Sequence, residues 1–150
     1  MNVPNVISPF QILDWRILSF NCTNSIISIP EDIEHRWTIK AHIDYLEPME
    51  EQLNAILHIE FHFSMEHRGS TNIMEGQCVT PCVMKGDSIP NAKETFTKLL
   101  SRTAMTNSLA NLRVFLLQAG TLHQMGPKRV MLPFINLNNF TFDEEIQFTV

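Results

Sequence analysis

The chain has 150 residues, 44% of them hydrophobic and 18% charged, which fits one self-sufficient domain and excludes long disordered tails. A net charge of −5 argues against nucleic acid, whose partners need a basic face. Three cysteines, an odd number, do not make a disulfide framework, and a reducing cytoplasm is the expected setting.

Met1 to Phe20 has no basic leader, and Asp14 and Arg16 interrupt its middle, so no signal peptide is expected. No window approaches roughly 18 apolar residues, so no membrane insertion is expected either. Phe10 to Phe20 reads as a first strand, with Leu13, Trp15 and Ile17 on one face and Phe10, Ile12, Leu18 and Phe20 intruding on the other. Asn21 to Asp32 reads as an apolar loop containing Ile26-Ile27-Ser28-Ile29-Pro30.

Two segments then alternate cleanly. In His35 to Tyr45, Trp37, Ile39, Ala41, Ile43 and Tyr45 share one face, while Arg36, Thr38, Lys40, His42 and Asp44 share the other. Leu53 to Met65 repeats the pattern, and Glu47-Pro48-Met49-Glu50 reads as the turn of an antiparallel pair. Asn72 to Val83 follows a His67-Arg68-Gly69-Ser70 turn; its poor alternation, Gly76 and Pro81 predict a bulge or an edge strand.

After Gly86 the period lengthens. Ser88 reads as an N-cap, Pro90 as a first-turn residue, and Ala92, Phe96, Leu99, Leu100 and Thr103 fall at helical spacing. Thr106-Asn107-Ser108 reads as a break or recap. Leu109, Leu112, Phe115, Leu116 and Ala119 extend the stripe to Gly120, a natural stop. His123 to Asn139 reads as an extended connector. In the last ten residues a capping-box pattern from Thr141 to Glu144 competes with the alternation of Phe142, Ile146, Phe148 and Val150. The expected class is α+β: a four-stranded antiparallel sheet, a long helix packed on one side, and an extended connector. So little helix leaves apolar area for self-association to cover.

Few residues point to catalysis. His58, Glu60 and His62 line one strand face at intervals of about 6.6–7 Å, so a small metal-binding β-domain is one reading. A solvated polar face explains the same residues by alternation alone, and we expect no bound metal. Cys78 and Cys82 lack a second ligand pair and read as buried hydrophobes. Neither a phosphate loop nor a nucleophile elbow occurs, so no cofactor and no catalytic residue is expected. A purely structural assembly subunit is a further alternative. What stands out is apolar inventory: Trp15, Trp37, the loop isoleucines, eight methionines and Met131-Leu132-Pro133-Phe134-Ile135.

Several segments in order resemble the SecB family of cytoplasmic export chaperones. Phe10-Gln11-Ile12 with Ile17-Leu18-Ser19-Phe20 is similar to its first strand, and Arg36-Trp37-Thr38-Ile39-Lys40-Ala41-His42-Ile43-Asp44 to its second. Leu112-Arg113 and then Met131-Leu132-Pro133-Phe134-Ile135-Asn136 resemble its helix arginine and Leu-x-Pro connector. The resemblance implies an ATP-independent holdase, a dimer of dimers that binds non-native polypeptides or preproteins. It implies grooves under the loop between strands one and two and beside the terminal helix. Carried over, peptide-binding residues are Ile26, Ile27, Ile29, Trp37, Phe134 and Phe140. Together with the helix stripe it places Phe115 and Leu116 near a buried oligomer interface of a homotetramer. Two departures follow. Ten residues come after Phe140, so the terminal helix and the tail that engages the SecA motor are expected to be short or missing. The acidic pair offered to SecA falls at Ile17 and Asn21, neither acidic. Loss of such features suits the alternative role of SecB-like proteins that guard an antitoxin.

Overall fold

The computed structural model describes residues 8–27, 33–49, 51–85, 91–122 and 132–150. Six strands, β1 (Phe10–Ile12), β2 (Arg16–Asn24), β3 (His35–Met49), β4 (Gln52–His67), β5 (Ser70–Lys85) and β6 (Ile146–Thr149), form one antiparallel sheet. Its order is β1-β5-β4-β3-β6, and β2 shares the β5 edge with β1. The α+β class and the helix on one side are as expected, with six strands rather than four. The capping-box and strand readings of the last residues resolve in favour of the strand, which pairs with β3 from Arg36 to Ile39.

The β4–β5 hairpin turns on Arg68 and Gly69, at φ 50° and 79°. Both are left-handed, which matches the two-residue turn that suits strand twist. The β3–β4 turn is tighter than Glu47 to Glu50 implied, because β3 continues to Met49 and β4 begins at Gln52.

β5 is not an edge. It pairs with β4 along its whole length and with β1 and β2 on its other side. The signals in Gly76 and Pro81 belong to the neighbour across from them. Between Ile17 and Ser19 the register of β2 shifts, so Leu18 is the extra residue of a bulge and stands out into solvent. There the backbone oxygen of Ser19 lies 2.1 Å from where a Cβ on residue 76 would sit, so only glycine fits. Pro81 falls at the gap between β1 and β2, where its missing N–H costs no ladder bond and its carbonyl accepts from the Leu13 N–H at 2.9 Å. The single first strand is thus two strands separated by Leu13 to Trp15, and the apolar loop starts at Ser25 rather than Asn21.

The helical part runs as α1 (Ala92–Leu99), a π-helical turn (Leu100–Ala104) and α2 (Met105–Leu122). Ser88 and Pro90 lie outside the described residues; the described start is Asn91, at φ 54°, whose carbonyl accepts from Thr95 N–H. Thr106-Asn107-Ser108 does not break the helix, Gly120 does not end it, and Thr103 is exposed. The π-turn has a packing reason. Phe96, Leu100, Ala104, Ser108, Leu112 and Leu116 recur every four residues and are all buried. In an unbroken α-helix a four-residue stripe drifts by about 40° per step and would leave the sheet. One wider turn unwinds that drift. Ser108 then meets Thr80 of β5 at 2.6 Å and donates to the Ala104 carbonyl at 2.7 Å, so the buried hydroxyls satisfy each other.

The core lies between the helix and one sheet face: Trp37, Ile39 and Ala41 of β3, Leu57, Ile59, Phe61 and Phe63 of β4, Met74, Cys78 and Met84 of β5. The alternate residues form a second face with no helix over it among the described residues. That face carries His42, His58, His62, Lys40 and Glu60. No helix among the described residues is long and apolar enough to cross a membrane.

Candidate binding surface

Polar side chains hold two apolar segments, one beside β2 and one beside the helix. On the β2 side, Asn72 is fully buried, and its Oδ1 accepts from the backbone N–H of both Ser25 and Ile26 at 3.0 Å. The Ser25 hydroxyl donates to the Thr71 carbonyl and accepts from the Thr71 N–H at 2.9 Å. These bonds fold the chain after β2 downward, so Ile26 enters the core and Ile27 faces outward at 102% exposure. On the helix side, the Arg113 Nε–H donates to the Leu132 carbonyl at 2.7 Å and an Nη2–H to the Pro133 carbonyl at 3.1 Å. Its guanidinium lies 4.2 Å from the centre of the Phe134 ring. Leu132 is consequently buried and Phe134 is 89% exposed.

The predicted residues do not converge on one patch. Trp37 is 1% exposed, packed 4.7 Å from Phe63 and stacked nearly parallel to Phe148 at 6.4 Å. Phe140 is half-buried against Phe142 and the core. Ile29 lies outside the described residues. Phe115 is half-buried beneath Trp15 and Phe20, and Leu116 is fully buried, so the protomer's own sheet already packs against both. Ile27 and Phe134 are the two of the set that present apolar area to water. Sequence reading missed Asn72 and Phe148. Asn72 sits in a strand of poor alternation and gave no signal; Phe148 was visible in the alternation of the last residues.

On the uncovered sheet face a groove of about 590 Å³ crosses four strands between Ser19, Gln77, Glu60 and Lys40. Within it the His62 Nδ1–H donates to Glu75 at 2.9 Å, and Asn21 donates to the other carboxylate oxygen at 3.4 Å. These bonds, His62 first, hold the Glu75 carboxyl below its ordinary range. His58 stacks loosely on His42 at 6.1 Å, and His42 is drawn to Asp143 at 2.6 Å. His58 and His62 thus turn to different neighbours, and no three His, Cys, Asp or Glu among the described residues converge on a metal-sized site. Burial pushes the Cys78 thiol up to about 12 and Cys82 up to about 11, far from a reactive thiolate.

No family model matches the sequence, and no curated protein matches it. Solved structures do. A Mycobacterium tuberculosis SecB-like chaperone, in complex with a ChAD peptide from the HigA1 antitoxin, is similar over 85% of this chain and 88% of its own, with a TM-score of 0.62 and 12% identity. The chain has a SecB-like fold. A Streptococcus agalactiae protein of unknown function is also similar, over 83% of this chain and 97% of its own, with a TM-score of 0.56 and 10% identity. Of the segments that resemble the family, Phe10-Gln11-Ile12 is β1, Arg36 to Asp44 runs within β3, and Arg113 pins the connector to α2. Within that SecB-like frame Ile17 is half-buried toward the helix and Asn21 is bonded to Glu75, so neither supplies an acidic contact.

Proposed function

We propose that the protein is an ATP-independent holdase that binds apolar segments of non-native polypeptides. The observation that carries this reading is the pair of exposed apolar side chains, Ile27 and Phe134, held outward by the buried Asn72 and the half-buried Arg113. A loop without a binding task loses nothing by placing a polar residue there, whereas an exposed isoleucine or phenylalanine forgoes about 1.5–3 kcal/mol of burial. Such a surface gains that free energy when a client covers it. No step of chemistry is needed and none is proposed. The SecB-like fold supports the same reading, and so does the composition of the exposed set.

Two client classes fit. One is newly made preproteins, handed to the SecA motor in the cytoplasm. The other is a single antitoxin, favoured by one observation: a similar fold was solved with an antitoxin peptide bound. Genes for a toxin and antitoxin beside this one would favour the second. In either case the uncovered sheet face and the exposed apolar set support a homotetramer built as a dimer of dimers, which sedimentation at micromolar concentration tests; a monomer at every concentration overturns it.

The test of the holdase reading is aggregation of reduced, denatured lysozyme without ATP. The parent protein should suppress it in proportion to its concentration. Ile27→Ser with Phe134→Ser should weaken suppression several-fold and leave the melting temperature nearly unchanged. Ile29→Ser, added to Ile27→Ser, tests the rest of the loop. A double variant that folds and protects as well as the parent overturns the assignment of these residues.

A further inference from the structure

Along β4, His58, Glu60 and His62 are explained by alternation, and no bound metal is expected of them. Across strands the geometry is different. His42 of β3 lies directly opposite His58 of β4, on the sheet face that no described helix covers. Their rings lie 6.1 Å apart, centre to centre, with planes 36° from each other. Two imidazoles bound to one ion at roughly 2.0–2.1 Å per nitrogen stand about 5–6 Å apart by the same measure. A small side-chain rotation covers the difference.

The second observation concerns which ring nitrogens are free. The His42 Nδ1 stands 2.6 Å from a carboxylate oxygen of Asp143. A carboxylate there accepts, so the neutral ring carries its proton on Nδ1 and keeps the Nε2 lone pair unshared. A carboxylate placed behind a histidine in this way fixes the ring and raises the basicity of its other nitrogen, as it does behind metal ligands. His58 is half-buried and has no hydrogen bond or ion pair to another described residue. The rows on either side set Lys40 opposite Glu60 and Asp44 opposite Ile56. With Asp143, three carboxylates thus stand near the pair against one ammonium, a field that favours a cation.

We propose that His42 and His58 form a binding site for a divalent late transition-metal ion, Zn²⁺ or Cu²⁺, with Asp143 as a positioning residue behind His42. Imidazole suits both ions, and Cu²⁺ binds the more tightly of the two at a given site. Two ring nitrogens are the protein's ligands, and water completes the shell at this exposed position. The site draws on none of the residues assigned to client binding and does not depend on the holdase reading. It also has a structural consequence. The Asp143 N–H donates to the Ala41 carbonyl at 2.8 Å, so Asp143 ties the segment before β6 to β3. An ion on the His42 Nε2 keeps the proton on Nδ1 and so strengthens that tie, and the tied segment in turn favours the ion.

The experiment titrates Zn²⁺, and separately Cu²⁺, into the untagged full chain near neutral pH and follows binding by calorimetry. One ion should bind per chain. His42→Gln and His58→Gln should each weaken binding about 100-fold, because a two-point chelate becomes a single contact. The two changes together should weaken it little further. Asp143→Asn should weaken it about tenfold. Asparagine tolerates the left-handed backbone at Asp143, φ 64°, so the fold is kept. His62→Gln should bind as the parent does. The electron paramagnetic resonance spectrum with one equivalent of Cu²⁺ should show two imidazole nitrogens, and neither His42→Gln nor His58→Gln should show both. All forms should melt alike without metal, and excess Zn²⁺ should raise the melting temperature of the parent but not of these two variants. Absence of binding at millimolar Zn²⁺ and Cu²⁺ overturns the proposal. So does binding that survives loss of both histidines, or binding that is lost in His62→Gln. Binding that needs both histidines but is unchanged in Asp143→Asn overturns the role given to Asp143.

Discussion

The middle of the sheet and its margins use the same kinds of side chain for opposite ends. Between β4 and β5 every residue from Gln52 to His67 has a partner, and Leu57, Ile59, Phe63 and Met74 are sealed from solvent. At the margins the ladders are short, the chain is held by Asn72, Arg113 and Asp143, and isoleucine and phenylalanine face water. In the middle an apolar group stabilises by burial within one chain; at the margin Ile27 and Phe134 stay in water. Local opening free energies should follow that division, high in the meander and low at β6 and the loop after β2.

The sharpest way to break the comparison is to treat one residue type in both places. Phe63→Ala should cost about 3–5 kcal/mol of stability, since it empties the space against Trp37 and Met74. Phe134→Ala should change stability by less than about 0.5 kcal/mol, because an exposed ring loses little. Urea denaturation read by circular dichroism checks both; comparable losses would erase the distinction. Next in size is the clamp. Asn72→Ala removes the acceptor of the buried Ile26 N–H and one of the two acceptors of the Ser25 N–H, and should cost about 2 kcal/mol. Hydrogen exchange should speed up at Ser25 and Ile26 before it does in β4.

A smaller effect separates packing from polarity in the core. Ser108→Ala should cost about 1 kcal/mol because it strands the buried Thr80 hydroxyl, Thr80→Val should cost less because Ser108 keeps its bond to the Ala104 carbonyl, and the two together should cost less than their sum. Additive losses in the double-mutant cycle would mean the hydroxyls do not depend on each other. The smallest effect is on the groove of the polar face. The Glu75 carboxyl is held below its ordinary value of 4.5, chiefly by His62. A depressed carboxyl contributes stability that is complete above that value and is lost as pH falls through the folded one. With both side chains part-exposed, the contribution is screened and slight. Titration of the Glu75 carboxyl carbon by NMR should give a low midpoint that rises in His62→Gln.

Much of the meander was legible because its alternation is strict: Trp37, Ile39 and Ala41 and the odd residues of β4 face the helix as period two requires. β5 was misjudged for a physical reason. Gly76 and Pro81 look like edge residues when read alone, and only the bulge at Leu18 and the gap after β1, contributed by another part of the chain, make them fit a central strand. The helix was legible as a stripe but not as a continuous rod, because the wider turn at Leu100–Ala104 is a response to packing that no propensity records. Of the exposed apolar side chains, Ile27 and Phe134 stand out in the sequence, but what aims them does not. Asn72 acts across 46 residues of chain, a relation that local pattern does not carry.

The Arg68-Gly69 turn has a consequence for how the molecule comes together in time. It closes a hairpin between neighbouring segments, so β4 and β5 can pair as soon as both exist, at little loop-closure cost. The contact between His42 and Asp143 joins residues 101 apart and must wait until Asp143 has left the ribosome. Until then the β3 edge and Trp37 are open on a chain already structured around them. During its own synthesis, each copy therefore passes through an interval in which its β3 edge lacks the strand that later covers it.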